Sequence, residues 1–324
     1  MKKIFLIALL LTCLIGCKEE EVIANSENEG AVEVRESKLE NRNVLNFRNF
    51  DELENTIHQF IEKDKDLMEE SIMNLKETGR ISLLLAYNFE SDEAQKYGLK
   101  KENIAKVNSD DQVLLYLLNA EGEIVVNETT YKIDENFVYI LKRNNREILQ
   151  KFLAEFKEGK IKTKDRKLLE YNEDLQVYKH GNSRESIHNV QQRTEYGSFF
   201  NDTSVRVKAR QFDDYWFFYS SIGAITKTEQ FRRVWFWNSW VNVITSNRLR
   251  FSVAYQRFHF WSTNVPLGGN TMRDDINRRT YAINKVYEFC VGPPALYVYR
   301  ARLGFTQHEA GWYGNNSQRL TLGY

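Results

Sequence analysis

The chain contains few of the residues that are abundant in disulfide-rich or low-complexity proteins. Its 324 residues include only three cysteines, three prolines and sixteen glycines. A disulfide-stapled scaffold needs far more cysteine, and a low-complexity chain needs far more proline or glycine. The hydrophobic fraction of 42% and the charged fraction of 28% are ordinary for a globular protein. The fold must therefore be held together by its core.

The sequence also lacks the short motifs that mark common active sites. It contains no His-Glu-x-x-His pattern, no Cys-x-x-Cys pair and no Gly-x-Ser-x-Gly element. The formal net charge is zero, which argues against a nucleic-acid partner. We therefore expect no metal site and no cofactor. Catalysis stays open, because active sites can be assembled from distant positions.

The amino terminus has a short basic start, one apolar run and a cysteine. Met1-Lys2-Lys3 precedes the apolar stretch from Ile4 to Leu11, and Leu14-Ile15-Gly16-Cys17 follows. This order is typical of a secretory signal peptide over residues 1–16. Leu14-Ile15-Gly16-Cys17 resembles the lipobox of bacterial lipoproteins. The resemblance implies cleavage before Cys17 and a lipid on its sulfur; the alternative is an ordinary signal peptide or an uncleaved anchor.

A lipidated Cys17 would make the membrane the first partner of the protein, since two or three acyl chains anchor stably where one is marginal. Cys13 would leave with the signal peptide, so Cys290 would have no cysteine with which to form an intramolecular disulfide. No later segment reaches the roughly 20 apolar residues of a membrane span without charges, so we expect no transmembrane helix.

Residues 17–43 are predicted to form a flexible tether, because polar residues dominate and apolar periodicity is weak. The run Lys18-Glu19-Glu20-Glu21 resembles the surface-export signal of Bacteroidetes lipoproteins. The resemblance implies a location in the cell outer membrane, on its outer face. A periplasm-facing protein with an acidic linker is the alternative.

Residues 44–160 show both helical and strand periodicity, which predicts an α+β domain. The spacing of apolar residues predicts a helix that is capped by Asn49 or Asp51, a second helix that ends at Gly79, and a third from Arg146 to Lys157. Asn127-Glu128 between two β-branched runs predicts a hairpin, and a strand is predicted from Phe137 to Leu141.

Two segments of this part support a second resemblance. Leu118-Asn119-Ala120-Glu121-Gly122-Glu123 and Asn127-Glu128-Thr129-Thr130-Tyr131-Lys132-Ile133 resemble a repeated phrase of uncharacterised Bacteroidetes lipoproteins with domains of unknown function. The resemblance implies the lineage and an exported location. It transfers no catalytic residue.

The second half of the chain differs from the first in charge and aromatic content. From Val190 to the end, 17 Lys and Arg face 9 Asp and Glu, a net charge of +8, whereas Lys18 to Asn189 carry a net charge of −10. All six tryptophans lie in the second half. We predict a polar connection over residues 161–195 and an aromatic, arginine-rich β domain over residues 196–324.

Strand patterns within residues 196–324 predict an antiparallel sandwich or a small barrel. Phe251, Val253 and Tyr255 alternate with polar residues and predict one buried strand face. The stretch from Asn264 to Asp275 contains Pro266 and Gly268-Gly269, so we predict a loop there.

The tryptophans and arginines of this half are the candidate binding residues: Trp235, Trp237, Trp240, Trp261, Arg233 and Arg257. Aromatic faces can pack against the C–H faces of sugars, and neighbouring arginines can hydrogen-bond hydroxyls or pair with anionic groups. The alternatives are aromatic residues that fill the core and arginines that cover a solvated sheet face.

Paired acids offer the other candidate chemistry. Asp213-Asp214 and Asp274-Asp275 would suit a glycoside hydrolase or a calcium site, although adjacent acids are also common in turns. The leading hypothesis is a lipid-anchored envelope protein that binds a glycan or another envelope component. The alternatives are an envelope hydrolase, or a structural subunit that exposes a large apolar patch.

Overall fold

The computed structural model describes residues 44–63, 65–89, 91–135, 137–142, 145–164, 167–179, 194–199, 201–234, 237–312 and 316–323. The predicted signal peptide, Cys17 and the tether lie outside these residues. The described part is mostly β, with six short helices and several antiparallel sheets, none of which closes on itself. At this level of detail the predicted combination of helices and antiparallel strands is confirmed.

All α-helices of the described part lie between Phe50 and Lys157. They are α1 (Phe50–Glu62), α2 (Leu67–Thr78), α3 (Leu83–Ala86), α4 (Ser91–Lys96), α5 (Gln112–Leu117) and α6 (Arg146–Lys157). The predicted cap at Asn49 is confirmed, because its side chain accepts the Glu52 N–H at 2.9 Å. Helix α2 ends at Gly79, whose φ of 75° is the left-handed conformation that glycine adopts without strain.

A six-stranded sheet accompanies the helices. Its strands are β1 (Asn46–Phe47), β2 (Glu123–Val126), β3 (Thr129–Ile133), β4 (Phe137–Lys142), β5 (Leu168–Glu170) and β6 (Leu175–Lys179), in the order β1-β2-β3-β4-β6-β5. The predicted hairpin is confirmed, with Asn127 and Glu128 at φ of 50° and 60° between β2 and β3. Strands β5 and β6 fall within the segment that composition marked as a connection. The domain boundaries themselves stay a prediction.

Nine longer strands follow and form two antiparallel sheets, which we call the sheet pair. The strands are β7 (Thr194–Phe199), β8 (Asp202–Tyr215), β9 (Tyr219–Val234), β10 (Trp237–Val243), β11 (Thr245–His259), β12 (Ser262–Thr280), β13 (Ala282–Val291), β14 (Tyr297–Trp312) and β15 (Asn316–Gly323). One sheet has the order β10-β9-β8-β7, with β13 also paired to β9, and the other has the order β12-β11-β14-β15.

The sheet pair packs face to face through apolar residues. Phe251, Val253 and Tyr255 of β11 are buried in one cluster with Ile222 of β9 and Ile283 of β13, so the predicted buried face of β11 is confirmed. The opposite side of the five-stranded sheet packs on the helices and the six-stranded sheet that precede it in the chain, which together we call the helical part. A single buried cluster there joins residues of both halves of the chain, such as Leu114, Val126, Trp216, Tyr219 and Val241.

The predicted loop from Asn264 to Asp275 is wrong, because these residues belong to β12. Strand β12 lies at the edge of its sheet, where a proline removes no ladder hydrogen bond, and Pro266 sits beside a register shift opposite Phe258. Gly269 allows close contact with β11, since a Cβ there would lie 2.1 Å from the Tyr255 carbonyl oxygen. Both residues therefore serve an edge strand, and neither marks a turn.

Candidate functional site

The turn between β11 and β12 holds a large aromatic side chain in solvent. Phe260 and Trp261 form this turn, and Trp261 is 64% exposed. The Phe260 ring stacks on Tyr215 with centroids 4.6 Å apart and planes 6° apart. The Phe260 N–H also donates to the Leu296 carbonyl at 2.9 Å. The turn is therefore anchored to the body of the protein, whereas Trp261 remains accessible.

Trp261 continues a row of side chains along the end of β11. Arg257 and His259 are two positions apart on the strand, so they point to the same side. The Trp261 ring lies nearly parallel to His259, with centroids 6.1 Å apart and planes 10° apart. His259 pairs in register with Tyr297 of β14, and these rings are 5.7 Å apart. We call Arg257, His259, Trp261 and Tyr297 the end strip.

The charge of the end strip is nearly balanced. The Arg257 guanidinium lies 5.0 Å from the Tyr297 ring centroid, and its Nη1 donates to Glu288 Oε1 at 3.1 Å. Glu288 also accepts a hydrogen bond from the Tyr255 hydroxyl. Burial and the Glu288 carboxylate both raise the pKa of Tyr255. The end strip thus presents aromatic surface beside a hydrogen-bond donor and an acceptor, with little excess charge of either sign.

A second group of aromatic and charged residues crosses the five-stranded sheet. We call Tyr196, Arg206, Glu229 and Trp240 the clasp, because each comes from a different strand, β7 to β10. The Arg206 guanidinium carbon lies 3.9 Å from the centroids of both Tyr196 and Trp240. Arg206 also pairs with Glu229 at 2.8 Å, and Glu229 is buried. These ring faces are occupied by a protein side chain, so the clasp is a structural contact.

Buried charges connect the clasp to the helical part. Asp110, just before α5, contacts Arg210 at 2.6 Å, Lys208 at 2.7 Å and Lys227 at 3.3 Å, and Lys227 continues to Glu229 at 3.1 Å. Burial alone would raise the pKa of Asp110, but the three cations outweigh it and hold the pKa well below its usual range. This network ties the segment just before α5 to strands β8 and β9.

The Asp110 network was not predicted from the sequence. Ser109-Asp110-Asp111 before an apolar run indicates a helix cap, and the Asp111 side chain does accept the Val113 N–H at 2.9 Å. Nothing local marks Asp110 as the partner of three cations, because those cations come from strands far along the chain.

The acid pairs named from the sequence do not form facing carboxylates. Asp213 and Asp214 are neighbours on β8, and Asp274 and Asp275 are neighbours on β12, so the two members of each pair point to opposite sides. Asp214 is buried and accepts the Ser109 hydroxyl, and burial raises its pKa to about 6. Asp275 pairs at 2.6 Å with Arg248. Within the described residues, no group of three or more His, Cys, Asp or Glu is arranged to hold a metal.

The structure separates the six candidate binding residues. Trp261 and Arg257 come together in the end strip, and Trp240 belongs to the clasp. Arg233 and Trp237 lie in β9 and β10 by their backbone, and their side chains are outside the described part. Trp235 lies wholly outside it. His259 and Tyr297 were missed, because neither stands in a recognisable motif.

Comparisons with known proteins give limited information. No protein-family model and no curated protein matches this sequence. Among solved structures, the chain is similar to a DUF4848 family protein from Bacteroides thetaiotaomicron, at 11% sequence identity and a TM-score of 0.21, over 88% of this chain and 98% of that one. A TM-score this low does not establish a shared fold, so we transfer no residue role from that protein.

No described helix is both long and apolar enough to cross a membrane.

Proposed function

We propose that the protein is a non-catalytic, glycan-binding lipoprotein of the outer membrane, with its binding domain on the cell surface. The observation that carries the binding proposal is the end strip, in which a Trp side chain 64% exposed stands on an anchored turn and stacks on His259, which contacts Tyr297 and, through it, Arg257. The lipid on Cys17 and the location are supported by the sequence alone.

The end strip has the chemical features that sugar recognition needs. One face of a pyranose ring presents C–H groups, which pack against an aromatic ring, while its hydroxyls need donors and acceptors at the edge of the contact. Trp261 offers the ring, and Arg257 and Glu288 offer the donor and the acceptor. Three rings in one row suit an extended oligosaccharide better than a compact ligand.

The charge balance favours a neutral glycan over a polyanion. An unpaired arginine would attract phosphate or uronate groups, but Glu288 lies 3.1 Å from Arg257 and would repel them. Other arginines of the sheet pair also have acidic partners, as with Arg248 and Asp275, or Arg319 and Glu309. The arginine content of this half therefore overstates its affinity for anions.

A thermal-shift screen of the purified full-length chain against neutral and anionic polysaccharides tests this function. A ligand that binds only the folded state raises the melting temperature. We expect a neutral polysaccharide to raise it for the unmodified chain and for Leu303→Ala, but not for Trp261→Ala. Leu303 is a matched control, because it is 69% exposed in the same sheet and outside the end strip. An equal shift in Trp261→Ala, or no shift with any polysaccharide, contradicts the proposal.

A second candidate function is a structural subunit of an envelope complex. Leu303 and Phe305, two positions apart on β14, are 69% and 37% exposed and offer an apolar contact for a partner protein. This candidate predicts that a Leu303→Ser, Phe305→Ser variant loses a crosslinked partner in the native membrane while polysaccharide binding is unchanged. Retention of every crosslinked partner by the variant excludes this contact.

A further inference from the structure

An open groove of about 730 Å³ lies within the helical part, beside α6. Its volume falls in the range of small-molecule sites, roughly 300–1,000 Å³. Helix α6 forms one wall and residues 102–106 form another, while β4 and the turn between β3 and β4 complete the lining. The described residues that line the groove include none of the end strip or the clasp, so it is a separate candidate binding site.

The side of the groove formed by β4 and α6 is apolar and aromatic. Phe137 and Tyr139 are two positions apart on β4, so they lie on one face of the sheet, and their ring centroids are 5.8 Å apart. The Phe156 ring of α6 meets Phe137 edge-on, with centroids 5.3 Å apart and planes 81° apart. Leu153 and Phe156 are half-buried, so part of their apolar surface is open to the groove.

Hydrogen bonds hold the walls of the groove in place. The Tyr87 hydroxyl donates to the Ala105 carbonyl at 2.8 Å, which fixes the segment opposite α6. In the turn between β3 and β4, Asp134 accepts the Phe137 N–H at 3.0 Å and the Tyr139 hydroxyl at 2.7 Å. The groove is therefore formed before any ligand arrives, and binding needs little reorganisation.

Two cations that line the groove are neutralised within the protein. Lys132 lies 3.0 Å from one carboxylate oxygen of Glu123, and Arg146 lies 3.0 Å from the other. Glu123 is buried, and Arg146 also lies 3.6 Å from Glu121. These two cations and two carboxylates balance one another, so they give the groove no net charge.

The remaining charges of the groove are mainly negative. Glu102 and Glu135 line it, are exposed, and have no ion pair among the described residues. Lys106 is an exposed cation in the same lining, and it too has no ion pair there. Burial and the Asp134 carboxylate raise the pKa of Tyr139, which places a further negative group beside the aromatic side. The groove is thus complementary to a molecule with an apolar body and a positive charge.

We propose that this groove binds an organic amine with an aromatic or aliphatic body. The body packs against Leu153 and Phe156, and Glu102 and Glu135 attract the ammonium group. Aromatic ring faces also attract an ammonium group, whereas they do not attract a carboxylate. Lys106 opposes the bound cation and therefore limits the affinity. The site is independent of the end strip.

Calorimetric titration of the full-length chain tests this site with 4-phenylbutylamine, hexylamine and the neutral 4-phenylbutan-1-ol. We expect at least one amine to bind, and the better of the two to report whether the body is aromatic or aliphatic. In a Glu102→Gln, Glu135→Gln variant its affinity should fall roughly fivefold, and in Lys106→Gln it should rise roughly twofold, since water weakens charge interactions at exposed positions. The neutral alcohol should bind all three proteins equally.

A Glu69→Gln, Glu77→Gln variant is the matched control, because it also removes two exposed carboxylates but lies on α2, outside the groove. Its amine affinity should be unchanged. Leu153→Trp, which narrows the groove, should weaken binding of the amine and of the alcohol, with circular dichroism to verify folding. Failure of both amines to bind at about 10 mM overturns the proposal. Equal amine affinity in the unmodified chain and the Glu102→Gln, Glu135→Gln variant overturns it as well.

Discussion

Arg206 in the clasp and Arg257 in the end strip have partners of the same kind in different surroundings. Each pairs with a glutamate, and each lies over an aromatic ring. Arg206 is enclosed between two rings at 3.9 Å, and its side chain is 20% exposed. Arg257 lies 5.0 Å from one ring, and its side chain is 40% exposed.

The difference between the two arginines shows why residue content does not reveal a binding surface. A cation over an aromatic ring is worth more when water is excluded, so the clasp contributes to stability, and Arg206 covers one face of both the Tyr196 and the Trp240 ring. The end strip contributes less to stability and leaves the Trp261 ring uncovered. Enclosure, and not the presence of Trp and Arg, separates a structural contact from a surface available to a ligand.

The largest difference in stability is expected between replacing Glu229 of the clasp and replacing Glu288, the partner of Arg257. Glu229→Gln leaves Arg206 without a buried counter-charge and leaves Lys227 with Asp110 alone, so we expect a loss of about 3–5 kcal/mol in the free energy of unfolding. Glu288→Gln acts at a site where both partners are partly exposed, and it should cost less than about 1 kcal/mol. Urea unfolding of the two variants measures both values. Equal losses would show that the clasp is not the more buried contact.

Acid should weaken the clasp side of the molecule. The folded pKa of Asp110 lies below its unfolded value of about 3.9, so its stabilising effect is complete above that pH and is lost as the pH falls through the folded value. Below about pH 4 we expect the free energy of unfolding to fall by up to about 1.4 kcal/mol per pH unit.

Urea unfolding of Asp110→Asn and Glu288→Gln at several pH values isolates this effect. Asp110→Asn should be less stable at neutral pH and should lack the additional acid slope, whereas Glu288→Gln should retain it. Asp214 acts in the opposite direction, because its pKa is raised to about 6, but it is present in every protein compared. A slope in Asp110→Asn that equals that of the unmodified chain would be evidence against the three-cation environment.

A smaller difference in stability is expected between replacing Trp240 of the clasp and replacing Trp261 of the end strip. Trp240→Ala removes a ring that contacts Arg206 and also Phe231, whose centroid is 5.3 Å away, so we expect a loss of about 1–2 kcal/mol. Trp261→Ala should change stability by less than about 0.5 kcal/mol, because its side chain is mostly in water. Denaturant midpoints measure the difference, and a larger loss in Trp261→Ala would mean that its ring belongs to the core.

The smallest difference in stability is expected when Arg206 and Arg257 are each replaced by lysine. Arg206→Lys keeps the charge and loses the planar group between two rings, which should cost about 1 kcal/mol. Arg257→Lys should stay within about 0.5 kcal/mol of the unmodified chain, and it should weaken polysaccharide binding by a few fold. Denaturant midpoints and a polysaccharide titration provide the two measurements. Unchanged polysaccharide affinity in Arg257→Lys would remove Arg257 from the binding surface.

The parts of the fold that depend on local sequence could be predicted. Asn49 caps α1, Gly79 ends α2, and Asn127-Glu128 forms the hairpin turn, because each acts on backbone groups a few residues away. Strand β12 could not be predicted, because Pro266 and Gly269 are typical of loops unless their place at a sheet edge is known. That place is set by pairing with β11, which is a tertiary property.

In the candidate site, too, some residues could be named from the sequence, while others depend on tertiary pairing. Arg257 and Trp261 were named from the sequence, and the structure links them through Tyr297 and His259. Tyr297 could not be associated with them, because it comes from β14 and meets His259 only through the register of that sheet. Asp110 likewise depends on strands β8 and β9, which are distant in sequence.

The edge position of β12 has a consequence for molecules of this protein at high concentration. This 19-residue strand ends its sheet, so its outer N–H and C=O groups could template pairing with a neighbouring copy. Arg273, Asp274, Asp275 and Arg279 are exposed along it, and Pro266 interrupts its donors. Charge and proline at a free edge oppose strand-to-strand association. Pro266, which suggested a loop, would thus help the charged residues of β12 to protect the protein from aggregation.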